Sequence, residues 1–305
     1  FGVTCPFDVM FMCSGNLNVP EAIRTANESL LIDPARAAMD RAGRQYANYF
    51  RPIVIRGKKE FRSGATSPRS SVTSFGLASS LAVLMEIRGV ALGRKGFERR
   101  VETALLLAKS FLVSVDKHPE AIRTARKQAQ KDTSPVVIRS NREKKRAEIT
   151  LLDLNREELT AFDELLSNSN QQSPTKTRAF PGGYVLMPSE KRAVAALENL
   201  GVEMTPLTQP VVANVQAYAL KQDRLSPKPF EGFFERIVNA ETRDTTLTLP
   251  TGAWWIPANQ PRFHLTKELL EPEGTNGFVR YRVIDPEANE SFPVFRILPE
   301  NIIHP

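Results

Sequence analysis

The stretch Ser74–Arg100, SFGLASSLAVLMEIRGVALGRKGFERR, decides how this chain is read. Five apolar residues, Leu81, Ala82, Val83, Leu84 and Met85, lead into a carboxylate, Glu86, followed at once by Arg88 and Gly89. A run this short with a glycine at its exit predicts a buried strand, because helices usually need about ten residues or more. Glu86 then stands at the end of that strand. In an open α/β sheet the carboxyl ends of the strands face the ligand crevice, so an ionisable group there is placed for proton transfer. The residues alone equally allow a structural ion pair with Arg88.

Downstream, Phe97, Val101, Leu105, Ala108 and Leu112 step by three or four and predict one apolar face of a helix over residues 97–115. A charged surface helix is expected over residues 120–131. Upstream, Val9–Met12 reads as a short strand. Pro20 and Glu21 mark a helix start, Pro34 ends or interrupts that helix, and a second helix is expected from Pro34 to Tyr46. Residues 50–74 are polar and read either as a loop walling or covering a cleft or as a plain surface excursion. Ser134 and Pro135 break the pattern, so the division falls there: residues 1–133 form an α/β part and residues 134–305 a β-rich module. The latter offers short β-like runs at 136–139, 147–154, 184–187, 211–220, 245–249, 253–256 and 279–284. The run SNSNQQSPTKT, residues 167–177, reads as a polar loop. One helix, residues 189–200, has Ser189 as cap and Gly201 as stop.

The 305 residues are 41% hydrophobic and 25% charged, the balance of an ordinary globular protein with room for two domains. No apolar run approaches the ~20 residues of a membrane-spanning helix. The net charge of +7 raises nucleic-acid binding, with Arg139, Arg142, Lys144, Lys145 and Arg146 as its footprint. No recognition motif surrounds that cluster, and a solvated basic face is expected instead, with no nucleic-acid partner. Cys5 and Cys13 lack metal-type spacing and either pair or stay free. The chain begins with Phe1 and no secretory signal is visible, so it reads as the interior of a longer gene product or a processed chain.

The segment LMEIRGVALGRKGFERRVETALLLAKSFL resembles the region around the catalytic glutamate of zinc metallocarboxypeptidases of the carboxypeptidase A family, bacterial branch. NLNVPEAIRTANE resembles the run that follows the last zinc ligand in that family. PGGYVLMPSEKRAVAALENLGVEM, FEGFF, LPTGAWWIPANQP, ELLEPEG and FPVFRI, in that order, resemble the C-terminal extension of the bacterial enzymes. The fold implied is α/β: the C-terminal half of a mixed-sheet carboxypeptidase-like domain, followed by a mainly β, sandwich-like module. The resemblance implies a hydrolase, a metalloprotease that removes residues from the C-terminus of peptides. Glu86 is its general acid/base and Arg88 orients Glu86 or lowers its pKa. The pancreatic relatives carry a mobile substrate-contacting tyrosine on the loop before Glu86. No tyrosine lies between Tyr49 and Glu86 here, which leaves Arg69 as a candidate local replacement.

Zinc is the implied cofactor, and catalytic zinc needs three protein ligands, two His and one Glu in carboxypeptidase A. The three histidines do not begin an H-x-x-E pair: Ala121 lies three residues after His118, Lys267 three after His264, and only Pro305 follows His304. All three read as structural or solvent-facing, so no metal ligand is expected in this chain. The zinc ligands are expected upstream, in an N-terminal half that is a separate chain or segment and a partner of this one. This chain alone is expected to be inactive. The alternative is a catalytically inactive relative or fragment that binds peptide, glycan or protein, with Trp254 and Trp255 as anchors. The resemblance also implies a periplasmic or extracellular, secreted protein.

Overall fold

The computed structural model describes residues 3–55, 57–285 and 292–303. In chain order the first part contributes β1 (Val3–Thr4), β2 (Val9–Met12), α1 (Glu21–Ala26), α2 (Asp33–Arg41), β3 (Tyr46–Asn48), β4 (Phe50–Ile55), β5 (Lys58–Ser63), α3 (Ser71–Leu77), β6 (Leu84–Ile87), α4 (Phe97–Lys117) and α5 (Pro119–Gln130). The remainder contributes β7 (Val136–Asp153), β8 (Glu158–Arg178), β9 (Gly183–Leu186), α6 (Lys191–Asn199), β10 (Thr205–Pro206), β11 (Val211–Leu225), β12 (Arg236–Leu249), β13 (Trp254–Pro257), α7 (Phe263–Leu270) and β14 (Val294–Ile297). The result is a mixed α/β fold with three sheets, ordered β3-β2-β6, β1-β7-β8-β5-β4 and β10-β13-β9-β14-β11-β12.

The three-stranded sheet is built on the apolar run of β2, whose Val9 and Phe11 are buried against Ile32, Ala35, Met39 and Leu107. It pairs in parallel with β3 and antiparallel with β6. The apolar run before Glu86 is therefore a strand only over its last residues, and that strand is an edge rather than a buried centre. Its open side explains why its residues are half-buried and Glu86 is exposed.

The helix begun after Pro20 does not stop at Pro34. A π-helical run, Asn27–Ile32, joins α1 to α2, and the Asp33 amide donates to Glu28 O five residues back. Proline has no N–H to place, and the first turn of α2 asks for none. The second helix then ends at Arg41, and Tyr46, expected within it, opens β3.

The expected loop over residues 50–74 is largely ordered, as the β4–β5 hairpin and α3. The expected polar loop 167–177 is likewise the second half of β8, running antiparallel to β7 almost throughout. Here the ladder overrides poor strand propensity. Ser169 is fully buried and its main-chain N–H donates to Ser63 Oγ at 2.8 Å. A Cβ on Gly15 would stand 2.1 Å from Ser169 O, so the close approach of the two backbones requires glycine there.

Helix α6 forms where expected and Gly201, at φ +73°, ends it, but Ser189 does not cap it: its hydroxyl bonds Glu190 instead. Residues 279–284 are turns rather than a strand, and α7 was not anticipated. Strand pairing crosses residue 133, β1 with β7 and β5 with β8. The largest core likewise joins Ile23, Leu77 and Ala129 to Tyr184, Leu197, Phe263 and Val294.

Candidate functional site

Glu86 lies opposite Met10 on β6, which pairs only with β2 among the described residues. Its side chain is exposed and makes no hydrogen bond or ion pair to a described residue, so the carboxylate is available on an open strand edge. Tyr49, which leaves β3 and donates its main-chain N–H to Phe11 O at 2.7 Å, is close enough to sense it. Burial and then the Glu86 charge raise the Tyr49 phenol. Tyr49 also lines a cavity of about 270 Å³ with Cys13, Glu28, Asn48, Ser63 and Asn168. Burial pushes the Cys13 thiol up to about 12, with Glu28 adding to it, which makes this sulfur a poor nucleophile. Cys5 and Cys13 are both free thiols.

The structure does not bring Glu86 together with either arginine singled out in the sequence. Arg88 is half-buried; its main-chain N–H donates to Asp8 O at 2.9 Å and its guanidinium to Pro6 O at 3.2 Å. Arg69 pairs with Glu231, reaches Tyr281 Oη at 3.4 Å, and stacks over the rings of Phe230 and Tyr281 at 5.3 and 5.6 Å. Both are held by other parts of the fold. Trp255 is buried, and Trp254 is half-buried and packs on the main core. Along β7, Lys144 pairs with Glu60 at 2.8 Å, Arg146 with Asp163 at 2.6 Å and Arg139 with Glu273 at 3.5 Å, while Arg142 donates to Ser63 O and Thr66 Oγ1.

A second, larger cavity of about 550 Å³ lies between the Asn16–Asn18 turn, the start of β7 and the end of α7. Asn16 and Asn18 both donate through Nδ2 to Glu268 Oε1, at 2.8 and 2.7 Å. Burial raises the Glu268 carboxyl, and those two amides oppose it. Burial also lowers Lys267 to about 8; its ammonium sits 5.4 Å over the Phe180 ring. Deeper, Arg178 bonds Glu271 at 2.7 Å and also pairs with Glu273, which Lys176 holds at 2.8 Å. Burial would raise Glu273, but hydrogen bonds from Lys176 and Arg178 outweigh it and hold it below the ordinary carboxylate range. Tyr184 Oη donates to Glu271 at 2.9 Å. This network fills the polar needs of buried groups, as the low-dielectric interior demands.

Zinc is tested by the histidines. His264 donates from Nε2 to Ala129 O at 2.7 Å, and burial together with the Lys267 charge lowers it to about 4. Its Nδ1 is buried without a partner. His118 is exposed at the α4–α5 junction, and His304 lies outside the described residues. Among the described residues no three His, Cys, Asp or Glu side chains stand together as a metal site. The described residues do not fit a zinc centre. Among the described residues no helix is long and apolar enough to cross a membrane.

Two groups escaped the sequence reading. Tyr49 gave no signal, because its nearness to Glu86 arises from β3 and β6 flanking the same strand. Helix α7 had one, Leu265 and Leu269 at helical spacing, obscured by His264, Lys267 and Glu268 between them.

With this geometry in hand, the chain bears a distant resemblance to fungal carboxypeptidase-family proteins. It is 26% identical over 309 residues to carboxypeptidase 2 of Trichophyton tonsurans, covering 95% of this chain and 55% of that protein. The match to carboxypeptidase 2 of Trichophyton rubrum has the same identity and coverage. A probable carboxypeptidase 2 of Arthroderma benhamiae is 24% identical over 281 residues, 87% of this chain and 51% of that protein. The chain thus spans about half the length of the curated relatives it matches. No family model matches the chain, and no solved structure does.

Proposed function

We propose that this chain is the part of a zinc-dependent metallocarboxypeptidase-like hydrolase that supplies its general acid/base, Glu86, and its β-rich C-terminal module. In this reading residues 1–133 are the C-terminal half of the catalytic domain and residues 134–305 the module, and the zinc ligands belong to polypeptide outside this chain. The similarity to carboxypeptidase 2 over 95% of the chain carries the reading. Glu86 is exposed and makes no hydrogen bond or ion pair to a described residue, so in this reading the cleft around it is completed by the polypeptide outside this chain.

Glu86 then takes a proton from the attacking water and returns it to the departing amine of the peptide's C-terminal residue. Tyr49 is the neighbour that shares its field. Arg88 positions the strand by holding Pro6 O rather than by touching Glu86. Arg69, engaged with Glu231 and Tyr281, contributes to substrate binding only by releasing them. An exported location belongs to the same proposal.

The test is a single polypeptide in which this chain is fused to the portion of carboxypeptidase 2 outside the matched span, supplied with zinc. Glu86→Gln should lower release of C-terminal residues from a peptide by roughly 100-fold or more. An undiminished rate removes Glu86 from the chemistry.

A further inference from the structure

The larger cavity meets two strands along their edges. Side chains alternate between the two faces of a strand, so a cavity lying on a sheet face touches every second residue. This one, about 550 Å³, is lined by every residue from Val136 to Arg142 of β7 and by Arg236, Ile237 and Val238 of β12 in succession. Both strands have an open side among the described residues. Strand β12 ends the six-stranded sheet, and β1, the strand beyond β7, pairs only with Leu152 and Asp153. The stretch of β7 along the cavity is roughly 20 Å long at about 3.3 Å per residue, so the cavity is a trough.

One side chain already imitates the missing strand. Asn18 Nδ2 donates to Val137 O at 2.8 Å while the Val137 N–H donates to Asn18 Oδ1 at 2.9 Å, the pair of bonds that a facing strand residue would exchange. From Ile138 to Arg142 no strand or side chain among the described residues takes that place. An edge of this kind accepts an extended peptide as a further strand.

Charge along the trough is unbalanced. Arg139, Arg142, Arg224, Arg236, Arg280 and Lys267 line it against Glu268, Glu271 and Glu273. Those carboxylates are engaged: Asn16 and Asn18 hold Glu268, Arg178 holds Glu271 and Lys176 holds Glu273. Arg236 and Arg280 have acids of their own, Asp223 and Glu235. Arg142, Arg224 and Lys267 make no ion pair with a described residue; Arg142 has only the neutral acceptors Ser63 O and Thr66 Oγ1. Burial, with the Arg62 and Arg51 charges adding to it, lowers the Arg142 guanidinium from its ordinary value, so an anion beside it would be stabilising. Among the described residues no aromatic side chain lines the trough to stack a base, which argues for a peptide over a nucleic acid.

We propose that this trough takes an extended acidic peptide segment, which adds as a strand to the open edge of β7 over residues 138–142 and sets its carboxylates against Arg142 and Arg224. Main-chain bonds supply the affinity and the cations the choice of sequence, with Lys267 adding to the same field from the wall. The inference does not use Glu86 and stands apart from the peptidase reading.

The probe is a fluorescein-labelled octapeptide alternating Glu and Thr, amidated at its C-terminus so that it offers no terminal carboxylate, titrated into the full chain by fluorescence anisotropy. It should bind roughly tenfold or more tighter than the same peptide with Lys for Glu. The peptide with Pro for Thr keeps every charge and cannot pair as a strand, and it should bind roughly tenfold or more weaker. Amide exchange over residues 138–142 should slow by roughly tenfold or more on binding. Arg224→Glu, at an exposed position, should weaken binding by roughly tenfold and leave the thermal midpoint of the chain unchanged. Arg142→Gln repeats that test from the other wall if the first variant does not fold. No binding, equal binding of the Lys or Pro peptide, indifference to the substitutions, or protection elsewhere overturns the proposal. So does an oligothymidylate octamer that binds more tightly than the acidic peptide, since the trough then takes a nucleic acid.

Discussion

Helices α4 and α7 invert each other. Helix α4 leaves leucines and phenylalanine in water and buries Thr103 and Ser114, whereas α7 buries all eight of its residues, His264, Lys267 and Glu268 among them. Neither arrangement follows from hydrophobicity alone. On α7 the polar groups are tolerable because each faces a matching group: amides of Asn16 and Asn18 on Glu268, the Phe180 ring near Lys267, a carbonyl on the neutral His264. On α4, Leu106, Leu107 and Phe111 pack on the core of β2 and α2, but the outward row from Phe97 to Val115 has no such match within the described residues. One helix has all its residues packed within this chain, and the other keeps an apolar row exposed.

The contrast can be broken at its strongest point first. Arg178→Ala would remove the cation shared by the buried Glu271 and Glu273, leaving Glu271 to Tyr184 and Arg296 and Glu273 to Lys176 and Arg139, and loss of one partner from such a network costs up to about 3–5 kcal/mol. Urea titration at neutral pH checks it, and a change below about 1 kcal/mol would mean that the network is wet. Leu107→Ala, on the packed side of α4, should cost about 2–5 kcal/mol in the same assay.

The charged helix also predicts a pH response. The folded pKa of His264 is near 4 against an ordinary 6.5, so between these values the unfolded chain binds more protons and stability falls as pH is lowered. At pH above 6.5 both states are neutral and no penalty operates; below about 4 the full penalty, about 3 kcal/mol, is present. His264→Gln should flatten that slope in stability measured from pH 7 to 4. At the small end, Leu112→Ala on the outward stripe should change stability by no more than about 0.5 kcal/mol. A loss comparable to that of Leu107→Ala would show that the stripe is already covered within the chain.

What was legible in the sequence follows the same division. Periodicity located α4 and chose its apolar face correctly as a row, but a row does not say which side holds the core. That was decided by Ile32, Met39 and Val9 packing on Leu107. Composition located Glu86 on a strand and could not show that the strand is an edge, because pairing depends on residues distant in the chain. The 167–177 run is poor in strand formers, yet β7 supplies a ladder that its own composition could not suggest. Helix α7 was hidden by residues that look solvent-loving until Asn18 and Phe180 are placed beside them.

The π-helical run between α1 and α2 has a further consequence. Each helical residue advances about 100° around the axis, so the wider turn resets the phase of everything after it. Ala35 and Met39 pack on Val9 and Phe11 of β2 in the phase that this wider turn sets. Straightening Asn27–Ile32 into a regular helix at unchanged length would swing these residues by about 100° and uncouple the central strand from the layer that covers it, whereas deleting one residue from the run should restore a regular helix with their facing kept.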